Sequence, residues 1–71
     1  MKTSLKRYVL IHKPTFQFLG NDGDLYDRID FAERLNSVDE AIEERDECDI
    51  PSDFEIRELD IIYDLGKIIE N

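Results

Sequence analysis

The sequence predicts a small α+β domain: an antiparallel-rich sheet of three to four strands, in the order β-β-β-α-β, packed against one helix. Three observations carry this expectation. Apolar residues alternate on either side of a turn within the first twenty residues. A serine and a glutamate three residues apart mark a helix start at Val38. A β-branched and aromatic run follows Pro51.

The first strand is read over Leu5 to His12. Leu5, Val9 and Ile11 share one face with Arg7, and Tyr8 and Leu10 share the other. Lys13-Pro14-Thr15 interrupts the pattern before Phe16-Gln17-Phe18-Leu19 resumes it, with Phe16 and Phe18 on one face, so the two runs read as a hairpin. Asn21-Asp22-Gly23-Asp24 is a turn, since these residues tolerate positive φ or bond their own backbone. Between Leu25 and Asn36 two periods compete, and the alternation of Phe31, Glu33 and Leu35 favours a loop followed by a short strand over residues 31–36.

Ser37-Val38-Asp39-Glu40 is a capping box, so a helix is expected from Val38 to about Glu47, with Val38, Ala41, Ile42 and Arg45 on one narrow face. Pro51 ends the helical region by restricting Ile50. Phe54 to Leu65 is read as the last strand. Phe54 and Ile56 lie in one phase and Leu59, Ile61, Tyr63 and Leu65 in the other, which predicts a bulge near Arg57-Glu58. Helix is the rival, because Ser52-Asp53-Phe54-Glu55 is a second capping-box match; Ile61-Ile62-Tyr63 favours the strand. Lys67-Ile68-Ile69 is then an apolar tail that must pack somewhere or extend the sheet edge.

A chain of 71 residues gives one domain, residues 1–71, and a fold of this size buries only about 60% of the surface its unfolded form exposes. With no bilayer-length apolar run and no signal-peptide pattern, a cytoplasmic protein is expected. Cys48, the single cysteine, excludes an intramolecular disulfide and a multi-cysteine zinc site. The 18 acidic residues outnumber nine basic ones, for a formal charge of −9. They are unevenly placed. Residues 1–20 hold four basic side chains and no acid, leaving a formal −13 on the remainder. Such a surface repels nucleic acid and anionic membrane and draws basic partners.

Catalytic constellations do not assemble in the sequence. His12, the one histidine, lies at the end of a strand beside Lys13, where a structural role is expected. Glu47 and Asp49 flank Cys48 and disfavour its thiolate. The Asn21–Asp27 segment lacks the glycine and the bidentate glutamate of a calcium loop, and Gly20 and Gly23 lead into no helix with a phosphate-binding lysine. A non-enzymatic protein without cofactor or metal is expected; a carboxylate-only hydrolase, which would leave no sequence signature, is the remaining enzymatic option.

The predicted helix and the residues after it place Asp39, Glu40, Glu43, Glu44, Asp46, Glu47 and Asp49 within eleven positions against one arginine. Neighbours at i+3 and i+4 stand about 5–6 Å apart at Cβ, comparable with phosphates along a nucleic-acid strand, and repel one another by a few tenths of a kcal/mol per pair. A solvated acidic face explains the array simply. Imitation of DNA or RNA toward a basic groove explains why its cost is tolerated.

The runs Tyr8 to Gly23, Ala32 to Ser37, Asp39-Glu40-Ala41 and Phe54-Glu55-Ile56 with the acidic-apolar strand after them resemble small uncharacterised proteins of bacteriophages that infect Gram-positive bacteria. The resemblance covers nearly the whole chain through structural motifs and brings no catalytic residues. The chain departs from that pattern in Leu35, where an aromatic is common, and in its more acidic helix. What the resemblance implies is a phage-encoded protein in the host cytoplasm that binds and inhibits a host enzyme, as anti-CRISPR and anti-restriction DNA mimics do. On that reading Asp39, Glu40, Glu43, Glu44 and Glu47 contact a basic host or defence protein, with Asp22 and Asp24 on a second patch. The alternative is a structural or regulatory module that binds through apolar sheet surface, with Tyr8, Phe16 and Phe18 exposed, either to another protein or to itself as a homodimer.

Overall fold

The computed structural model describes residues 2–69. They form one four-stranded antiparallel sheet and one α-helix: β1 (Lys2–His12), β2 (Gln17–Leu19), β3 (Leu25–Tyr26), α1 (Val38–Asp46) and β4 (Phe54–Asp64). Across the sheet the order is β3-β2-β1-β4. The expected α+β architecture and order of elements are therefore present, with differences inside them.

The longest ladder joins the first strand to the last. It runs without a break from Lys2 opposite Asp64 to His12 opposite Phe54, so β4 contains no bulge at Arg57-Glu58. Its change of apolar phase has another cause. Phe54 and Ile56 pack against the core cluster of Leu10, Leu19, Leu35 and Ala41 on the helix side, whereas Leu59, Ile61 and Tyr63 project from the other face, as strand alternation requires. A helix of nine residues is about 14 Å long and an eleven-residue strand about 36 Å. The strand outruns its cover, and its apolar side chains change faces accordingly, apart from Ile62, which lies in phase with Ile56 and is exposed. The second capping-box match nucleates no α-helix: Pro51–Asp53 is a single 3-10 turn without a side-chain cap.

The hairpin forms, with Ile11 opposite Phe18 and His12 opposite Gln17. Phe16 belongs to its turn rather than to β2. The carbonyl of His12 accepts from the amides of Thr15 and Phe16, and this closure holds Phe16 at φ 57° with its side chain 75% exposed. Tyr8 is half-buried against the core and Phe18 is half-buried too, so of the three aromatics expected at the surface only Phe16 is freely presented.

The third strand also differs. It is the two-residue β3, paired Phe18 to Tyr26 and Leu19 to Leu25. Residues 31–36 form no strand and touch the sheet at two points: the Glu33 amide donates to the Leu19 carbonyl at 3.0 Å, and Leu35 and Tyr8 exchange backbone hydrogen bonds of 2.8 and 2.9 Å. These contacts suffice to bury Leu35, which is 4% exposed.

The start of α1 follows the expected cap. Ser37 Oγ accepts from the Glu40 amide at 3.1 Å, satisfying a donor that the first turn leaves over, and the Glu40 carboxylate accepts from the amide of Asn36, the residue before the cap, at 3.2 Å. Ala41 is fully buried, Ile42 and Arg45 are half-buried, and Val38 is exposed. The tail Ile68-Ile69 neither packs nor extends an edge; the two side chains are 87% and 82% exposed.

Candidate partner-binding site

The loop between β2 and β3 and the C-terminal end of α1 enclose an open cleft of about 610 Å³. Leu19, Leu25 and Phe54 give it an apolar lining, and Asp22, Glu44, Glu47 and Asp49 bring carboxylates around it. His12, Asp53 and Cys48 also line it.

The β2–β3 loop is shaped by its own residues. The Gly20 carbonyl accepts from the Gly23 amide at 3.1 Å, Gly23 takes φ +86°, and Asp22 Oδ1 accepts from the Asp24 amide at 3.0 Å. The other Asp22 oxygen accepts from the Tyr26 hydroxyl. These bonds stabilise the anion, so the Asp22 carboxyl lies below the usual carboxylate range and the Tyr26 phenol above its ordinary value. Asp22 is therefore a fixed negative charge at the cleft.

The helix charges are largely uncompensated. Arg45 Nε lies 4.0 Å from Asp46 Oδ1. Among the described residues no lysine or arginine pairs with Asp39, Glu40, Glu43, Glu44 or Glu47. Their mutual field is felt nearby. Burial and then the charge of Glu44 push the half-buried Glu33 carboxyl up, with Glu40 adding to the effect. Burial pushes the Cys48 thiol up, reinforced by Glu44, Asp49 and Glu47, which opposes thiolate chemistry as its flanking acids suggest.

For Glu33 the sign is definite. A carboxyl whose folded pKa exceeds its unfolded value disfavours folding above the folded pKa, and the penalty disappears as pH falls below the unfolded value near 4.5. Glu33→Gln is expected to raise the melting temperature by about 2 °C at neutral pH, as relief of a partly screened repulsion. Thermal melts from pH 7 to pH 4 should show that gain shrinking to nothing; a gain that grows on acidification contradicts the assignment.

His12 is held on three sides. Its Nδ1 is hydrogen-bonded to the Thr15 hydroxyl at 2.8 Å, its Nε2 is 3.8 Å from Asp53 Oδ2, and its ring centroid is 5.1 Å from that of Phe54. These contacts tie the hairpin turn to the start of β4. Among the described residues no three histidine, cysteine or acidic side chains are grouped to hold a metal, and no helix is long and apolar enough to cross a membrane.

Of the residues expected to meet a partner, Glu44, Glu47 and Asp22 come together at the cleft, so the second acidic patch is continuous with the helix through Asp22. Asp39, Glu40, Glu43 and Asp24 do not line it, and the Glu40 carboxylate is engaged in the helix cap. Sequence reasoning missed Glu33 and the apolar lining, whose proximity to the helix acids arises only through the sheet. Comparison with protein-family models, curated proteins and solved structures finds nothing that this chain matches.

Proposed function

We propose that this is a non-enzymatic acidic binding protein whose cleft receives a basic side chain of its partner. The proposed partner is a host or defence protein, and the chain blocks its basic nucleic-acid-binding surface in the manner of an anti-CRISPR or anti-restriction DNA mimic. A phage origin and the host cytoplasm belong to this proposal through the resemblance described above. The observation that carries the reading is the cleft itself. Apolar walls from Leu19, Leu25 and Phe54 suit the methylene stem of a lysine or arginine, and Asp22, Glu44, Glu47 and Asp49 suit its cationic head. Uncompensated helix carboxylates steer a basic surface toward it and make the encounter sensitive to salt.

The test begins with a defined probe. An arginine-containing basic peptide, titrated at low salt, is expected to shift backbone NMR signals of residues 20–24 and 44–50. Glu44→Lys and Glu47→Lys are each expected to weaken binding about tenfold. Shifts spread evenly over the surface, or binding indifferent to both reversals, would remove the cleft from the proposal. Pull-down from a bacterial lysate at low and high salt then examines the partner: a nuclease, polymerase or CRISPR effector released by salt supports mimicry, and a salt-resistant partner contradicts it.

A further inference from the structure

The far end of the molecule from the cleft has a different character. The chain is elongated, with extents of 52 × 23 × 18 Å. Beyond the reach of α1 the sheet narrows to the outer parts of β1 and β4. There strand alternation separates two faces. Lys2, Lys6, Glu58, Asp60 and Asp64 lie on the helix side with the exposed Ile62, and there Lys6 is 3.5 Å from Glu58 and Lys2 is 4.0 Å from Asp64. Leu5, Leu59, Ile61 and Tyr63 lie on the other, together with Thr3 and the half-buried Arg7, with Leu5 directly opposite Ile61 and Arg7 opposite Leu59. Val9, on the same face nearer the core, is only 2% exposed, whereas Leu5 is 39% and Tyr63 53% exposed, so the cover stops between them.

We propose that this uncovered face, together with the apolar segment that follows β4, is the interface for a second copy of the chain. Three observations select that occupant. The first is area. With side chains on the order of 200 Å² each, the exposed fractions of Leu5 39%, Tyr63 53%, Leu65 72%, Ile68 87% and Ile69 82% amount to roughly 650 Å². The half-buried Leu59 and Ile61 bring the patch toward the ~800 Å² per partner of a standard interface.

The second is charge. Residues 2–7 and 58–69 hold four basic and three acidic side chains, a formal +1 in a chain of −9. Two copies repel through their acidic helix and loops and meet without that penalty here. A strongly charged partner finds little at this end to attract it. The third is the state of the sheet edges. Pairing two β4 edges about a two-fold centred on Leu59 sets Glu58 against Asp60 of the second copy, and centring on Asp60 sets that residue against itself. Pairing of two β4 edges in these registers is opposed, which favours the face. A two-stranded ribbon is marginally stable alone in water, so covering it also stabilises the strands that form it.

Sedimentation equilibrium of the full chain tests this from about 10 μM to about 1 mM. The expected result is an assembly of twice 8.4 kDa, strengthened by salt because salt screens the repulsion between copies. This response is opposite in sign to that of the cleft, so failure of one proposal is distinguishable from failure of the other. Leu5→Lys, Tyr63→Lys and the double change Ile68→Lys with Ile69→Lys are each expected to weaken self-association at least about tenfold. Glu43→Lys on α1 is expected to preserve it. The Ile68 and Ile69 side chains lie outside the sheet, so the double variant reads the interface even where a ribbon variant fails to fold. A monomer throughout the range, or a dimer insensitive to the double variant, overturns the proposal.

Discussion

Leu10→Ala is expected to cost about 2–5 kcal/mol and to leave much of the protein unfolded at physiological temperature. Leu10 is 1% exposed, the least accessible large side chain of the core, and meets Leu19, Leu35 and Ala41 beneath the helix. The cluster is small. Removing its central side chain opens a cavity that neighbours from β1, β2, the Leu35 bridge and α1 cannot all close, since each is fixed by backbone pairing. A 71-residue chain has little stability in reserve. At about 4–8 °C per kcal/mol for a domain of this size, a lost or greatly lowered melting transition should be visible by circular dichroism. A shift of only a degree or two would mean that the core lies elsewhere.

Gly20→Ala is expected to be the most damaging change that adds a single methyl group. An added Cβ would stand 2.6 Å from Tyr26 Cε2 and 3.0 Å from both Tyr26 Cδ2 and Asp22 Oδ1. The tyrosine ring cannot simply swing aside. Its hydroxyl is bonded to Asp22, its ring centroid lies 5.3 Å from that of Phe31, and its backbone is paired with Phe18. Overpacking of this kind costs about 1–3 kcal/mol. It also has a local signature. If Tyr26 moves and loses Asp22, its phenol falls back toward the ordinary value of 10.0 from above, and the Asp22 carboxyl rises. Titration of the Tyr26 ring by NMR, with melting curves alongside, distinguishes this rearrangement from general destabilisation.

How far the fold can be read from the residues depends on how local each instruction is. The helix cap is carried by Ser37 and Glu40, three positions apart, and the serine accepts from the Glu40 amide as the pattern requires. The two-residue β3 is too short to show any period; its place follows from the loop of residues 20–24, which turns Leu25 back beside Leu19. Residues 31–36 alternate like a strand, yet the segment meets β1 only at Leu35, and nothing in the alternation limits how many partners are near. The phase change in β4 is legible as a pattern, but periodicity alone does not tell a bulge from a straight strand that leaves its cover. Phe16 is in phase with Phe18, and the turn closure at His12 overrides that phase. In the candidate site, the charges of Asp22, Glu44 and Glu47 are plain from the sequence. Their shared cleft is not, because 22 positions separate Asp22 from Glu44 and only the sheet and helix together bring them to one opening.

The ladder between β1 and β4 also sets the order in which this chain can fold. His12 and Phe54, its closest-spaced pair along the sequence, enclose a 41-residue segment, and Lys2 meets Asp64 only after nearly the whole chain is made. Closing such a loop must precede any reward from the contacts it permits, so most of the sheet's hydrogen bonding is late and non-local. On the ribosome, the hairpin of β1 and β2 and the capped turn of α1 can appear early. The core strand β1 must then wait with one edge unpaired until β4 emerges from the exit tunnel.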